Sequence, residues 1–64
     1  MNGKEIKEYI TSIDDIEYNV TVFDECGNEI NFNDIQDDVI YEFNKIGEFK
    51  IGSGIVKAYY SIKK

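Results

Sequence analysis

A lone cysteine, Cys26, in a chain of 64 residues without histidine constrains the fold more than any other feature. No intramolecular disulfide can form, and one thiol cannot build a zinc centre of the usual Cys/His kind. Domains this small bury only about 60% of their unfolded surface and usually lean on such staples. What is left is an unusually apolar core or association with further copies. Eleven Ile, five Tyr and four Phe argue for one folded domain over residues 1–64 and against disorder. A homo-oligomer is expected on the same grounds.

Charge is the second constraint. Eleven carboxylates and no lysine or arginine stand between Glu8 and Asn44, whereas Lys45 to Lys64 holds five lysines against Glu48 alone. The net charge of −6 sets up a negative field that attracts basic partners and repels nucleic acid from most of the surface. No basic-then-apolar leader follows Met1 and no apolar run is long enough to span a membrane. With a free thiol, this points to the cytoplasm.

Asn2 to Ile13 reads as an amphipathic helix. Ile6, Tyr9, Ile10 and Ile13 fall at i, i+3, i+4 and i+7, with Asn2 and Glu5 spaced as a capping box and Asp14-Asp15 ending the run. Glu17 to Asn33 reads as a β-hairpin turning at Gly27-Asn28. An odd-length loop centred on Gly27 puts Val22 opposite Phe32 and keeps Val20 and Ile30 on the same face.

Asn33 to Ile46 has two readings. As a helix it has Asn33 and Gln36 as a capping pair, Lys45 in the last turn, Gly47 after its end, and a stripe of Ile35, Val39, Phe43 and Ile46. As a strand, Val39 to Phe43 is rich in β formers. The caps favour the helix. Glu48 to Ile51 and Ile55 to Ile62 then pair as strands around Gly52-Ser53-Gly54. In the last strand Val56, Ala58, Tyr60 and Ile62 share one face, and Ile55, Lys57, Tyr59 and Ser61 the other. The expected fold is α+β, ordered α-β-β-α-β-β, with two helices on a four-stranded, mainly antiparallel sheet. The alternative is one helix on a longer antiparallel sheet.

No catalytic motif accompanies these elements. Asp14, Asp15 and Glu17 are the one cluster from which a Mg²⁺-dependent nuclease site can be imagined, against the plainer reading of a solvated corner. The run from Asp24 to Glu29 lacks the glycine placement and flanking helices of a calcium loop. Cys26, beside Asp24, Glu25 and Glu29, has no cation to activate it. On the helical reading, Asp34, Asp37, Asp38 and Glu42 gather on one exposed side without lysine partners. With Asp14 and Asp15 they form the expected contact set for a basic protein. Lys50, Lys57, Tyr59, Lys63 and Lys64 make the opposite set, lysines to follow phosphates and a ring to stack on bases.

In size, charge and composition the whole chain resembles the small acidic accessory proteins of phages and other mobile elements, among them the anti-CRISPR proteins. That resemblance implies an inhibitor that binds a nucleic-acid-handling host protein by phosphate mimicry. It rests on no motif, so no residue role is carried over. The alternatives are a DNA-acting protein, either a single-strand binder or a metal-dependent nicking enzyme, and an assembly module of identical copies.

Overall fold

The computed structural model describes all residues from Met1 to Lys64. Its first element is α1 (Gly3–Ile13), and the capping box is in place: Asn2 Oδ1 accepts the Glu5 N–H at 2.8 Å and Glu5 Oε1 accepts the Asn2 N–H at 2.9 Å. Ile6 and Ile10 bury the inner side of the helix, Ile13 packs beside them, and Tyr9 lies at the margin.

β1 (Tyr18–Phe23) and β2 (Glu29–Ile30) form the antiparallel hairpin, with Val22 opposite Ile30. The loop is odd in length as expected, but it centres on Cys26, so Ile30 replaces Phe32 opposite Val22. Asp24 causes the shorter loop, because its Oδ1 accepts the N–H groups of both Cys26 and Asn28 at 2.9 Å. A two-residue shift leaves every side chain on its expected face. Phe32 leaves the sheet and begins a short 3₁₀ turn, Phe32–Asp34.

The expected second helix does not form. After the 3₁₀ turn, residues 35–41 run as a strap across the start of α1. Gly3 N–H donates to the Val39 carbonyl at 2.9 Å, Lys4 N–H to the Asp37 carbonyl at 3.3 Å, and Tyr41 N–H to the Met1 carbonyl at 2.8 Å. The first helical turn thus finds acceptors for N–H groups that a helix cannot satisfy internally. Beyond the strap, β3 (Glu42–Ile51) and β4 (Ile55–Lys63) form the long hairpin, turning through Gly52 and Gly54 at positive φ. Phe43 and Lys45 therefore lie in a strand, and Gly47 stands in the ladder opposite Tyr59. A bulge between Lys45 and Gly47 accommodates Ile46 as an extra residue.

The sheet order is β2-β1-β4-β3, with β1 and β4 parallel and both outer pairings antiparallel. The architecture is α+β on a mixed four-stranded sheet with one helix. The two hairpins join through β1 and β4, which run parallel although each hairpin is antiparallel. Val22, Ala58, Tyr60 and Ile62 face the helix and, with Ile6, Ile10, Ile35 and Tyr41, make the core. Full burial of an isoleucine such as Ile6 or Ile35 contributes roughly 1.5–3 kcal/mol. No helix is long and apolar enough to cross a membrane.

Candidate functional site

Alternation along a strand sends every second side chain away from the helix. In β4 these are Ile55, Lys57, Tyr59, Ser61 and Lys63. Their cross-strand partners bring Asn19, Thr21 and Phe23 from β1, and Glu42, Asn44, Gly47, Phe49 and Ile51 from β3, onto the same side. Phe23 lies opposite Ser61 and Phe49 opposite Lys57, so both rings are diagonal neighbours of Tyr59. Diagonal positions are within reach of aromatic side chains. The Phe23 and Tyr59 ring centroids are 5.9 Å apart with planes 24° from parallel, and Phe49 and Tyr59 are 5.5 Å apart at 25°.

A three-ring ladder therefore crosses β1, β4 and β3 on the face that α1 does not cover. Its end ring stays open to solvent, with Phe49 51% exposed, and Ile51 and Ile55 beside it are 43% and 41% exposed. Phe49, Ile51 and Ile55 thus form an exposed apolar patch beside the half-buried Phe23 and Tyr59. Lys57, which makes no ion pair, is the charge at its centre, while Glu29 lies opposite Phe23 at the β2 margin.

The carboxylates named from the sequence are placed apart. Asp14 Oδ1 accepts the Val20 N–H at 3.1 Å, and Asp15 Oδ1 accepts those of Glu17 and Tyr18 at 2.8 Å each, so both fasten the corner between α1 and β1. Asp34 Oδ2 accepts the Asn31 N–H at 3.0 Å, and Asp37 pairs with Lys7 at 2.9 Å. Asp38 and Glu42 make neither contact and sit on different elements, the strap and β3. Asp14, Asp15 and Glu17 do not form a three-ligand cluster, and no other three acids or thiols are grouped to hold a metal ion. Of the lysine set, Lys57 and Lys63 share the open face with Tyr59. Lys50 lies opposite Val56 on the other face, and Lys64 lies beyond the end of β4, lining a recess with Lys63, Asp24, Glu25 and Asp34.

Three further groups are tuned by their surroundings. A hydrogen bond from Lys45 and a second from Tyr18 hold the Glu48 carboxyl below its ordinary value, and the same contact with Glu48 raises Lys45. Burial, then the Tyr9 hydroxyl at 2.9 Å, pushes the Tyr60 hydroxyl up from its ordinary value. Phe23 and Phe49 are the site residues that sequence reasoning missed. The available signal was the mixed outer face of β4, which asks what stands beside Tyr59.

Comparison with known proteins finds no matching family model, no matching curated protein and no matching solved structure. The functional reading rests on the geometry above.

Proposed function

We propose that this chain is a small binding module that docks a basic protein through the open face of its sheet, acting as an inhibitor or adaptor. The observation that carries this reading is the Phe23–Tyr59–Phe49 ladder on a face that no element covers. Rings on both sides of Tyr59 occupy the surfaces a base would stack on, which favours a packed protein contact over a nucleic acid. Eleven of the thirteen carboxylates have no lysine partner. Around an apolar contact, such a surface selects a partner rich in Lys and Arg and speeds its approach at low salt. A host protein that handles nucleic acid, with a basic groove, is the partner this chemistry fits. In that setting, occupying the groove would block it.

The test is capture from nuclease-treated host lysate at low salt, comparing wild type with Tyr59→Ala and with Glu29→Lys. The expected result is one retained basic protein that Tyr59→Ala loses and Glu29→Lys weakens. Equal retention by all three proteins removes this reading. One observation favours a second reading, single-strand binding: Lys57 and Lys63 do share the face with Tyr59. A labelled single-stranded oligonucleotide that binds wild type but not Tyr59→Ala would move the assignment there.

A further inference from the structure

β3 is an edge strand of ten residues, and apart from its ladder with β4 its backbone makes no hydrogen bond. The bulge at Ile46 and the turn starting at Gly52 bound a regular stretch from Gly47 to Ile51, whose midpoint is Phe49. We propose that two copies of this chain pair antiparallel along this stretch, Phe49 against Phe49, joining two four-stranded sheets into one of eight strands.

The register follows from face and charge. Opposed residues in an antiparallel pair share a face, so slipping the pairing by a single residue sets inward side chains against outward ones. Centring on Glu48 or Lys50 is compatible with the faces but puts like charges directly opposite, which is destabilising. Centring on Phe49 sets Glu48 of each copy opposite Lys50 of the other, and Gly47 opposite Ile51. Both charged groups are available. Lys50 makes no ion pair, and Glu48 uses only Oε2 for Lys45 Nζ and the Tyr18 hydroxyl, at 2.9 Å each, leaving Oε1 without a partner.

A lysine alone on an edge strand keeps other strands away. A lysine two residues from a glutamate, about a shared midpoint, is complementary to itself reversed. The pairing also sets the exposed Phe49 beside its copy and Ile51 beside Gly47, satisfies the free edge and runs the two ring ladders into one. A chain with so few buried residues gains support that neither a disulfide nor a metal supplies.

Sedimentation velocity over a concentration series at low salt tests the proposal. Wild type should show a reversible monomer–dimer equilibrium. Lys50→Glu, exposed and remote from the core, should dimerise about tenfold more weakly or worse. The double variant Glu48→Lys/Lys50→Glu restores opposite charges and should recover the dimer. Register is read by oxidation in a Cys26→Ser background. Opposed Cα atoms lie about 4.5–5.5 Å apart, inside the disulfide range. Phe49→Cys should therefore cross-link readily, whereas two Ile51→Cys positions, about 13 Å apart, should not. A wild type that stays monomeric at every concentration overturns the proposal. So does a dimer indifferent to Lys50→Glu, or Ile51→Cys cross-linking as fast as Phe49→Cys. Lys50→Glu leaves the ring ladder intact and Tyr59→Ala leaves the edge intact, so failure here is separable from failure of the open-face reading.

Discussion

Gly3 shows how a single residue decides whether the strap can close over the helix. A Cβ built at this position would stand 1.9 Å from the Gln36 carbonyl oxygen and 2.5 Å from its carbon. Both are backbone atoms, held by the adjacent bonds from Gly3 and Lys4 to the strap, so neither can step aside cheaply. Gly3→Ala should therefore cost about 2 kcal/mol or more, as overpacking does, although alanine is the better helix former. Chemical denaturation checks the sign: a stabilised variant would mean that the strap does not lie against the helix start. The sequence displays Asn2 and Glu5 as a capping pair because both partners are local. It cannot display the demand on Gly3, whose neighbour is more than thirty residues away. The same distinction separates the acids. Asp15, Asp24 and Asp34 serve backbone N–H groups within four residues of themselves. Asp14, Asp15 and Asp34, which a reading by charge alone assigns to a partner, each also hold a backbone N–H.

At the scale of elements, what was legible was whatever its own residues could stabilise. α1, the β1–β2 hairpin and the Gly52–Gly54 turn all carry local signals, and all are present. The stretch from Asn33 to Ile46 carried two sets of signals, and long-range pairing chose between them. A helix of that length is marginal alone, while β4 offers β3 a ladder running from Glu42 opposite Lys63 to Ile51 opposite Ile55. α1 also needs the carbonyls of Asp37 and Val39, which a helix there would have used internally. Two substitutions separate the alternatives in solution. On a helix, Ile35 and Ile46 would share one buried stripe and cost similar amounts when shortened. Here Ile35 is 1% exposed and Ile46 is 62% exposed. Ile35→Ala should lose about 3 kcal/mol, whereas Ile46→Ala should stay within about 0.5 kcal/mol of wild type. Equal losses on thermal unfolding would restore the helix.

For the whole molecule, the charge run that dominates the sequence does not become one acidic face. Asp15 and Glu17 precede β1 while Asp24 and Glu25 follow it, so the strand holds the two groups about 20 Å apart. Glu8 lies on α1, Asp38 on the strap and Glu42 at the start of β3. The open face was only half visible beforehand, because Tyr59 and Lys57 announce it but Phe23 and Phe49 join them through sheet order. Dispersed charge has a measurable consequence. Only Lys7–Asp37 and Lys45–Glu48 pair, both partly or largely exposed, so attraction that salt can weaken is scarce. Repulsion from a net charge of −6 acts across a body of 38 × 24 × 16 Å. At about 10 mM salt the screening length of about 30 Å lets most of these acids feel one another; at about 1 M it shrinks to about 3 Å. The midpoint of thermal unfolding, measured in sodium chloride on protein dilute enough to be monomeric, should rise with salt by about 5 °C, the equivalent of roughly 1 kcal/mol for a domain this size. A midpoint that falls would show that attraction between the scattered lysines and acids outweighs their repulsion, and that the carboxylates are not free to answer to a partner.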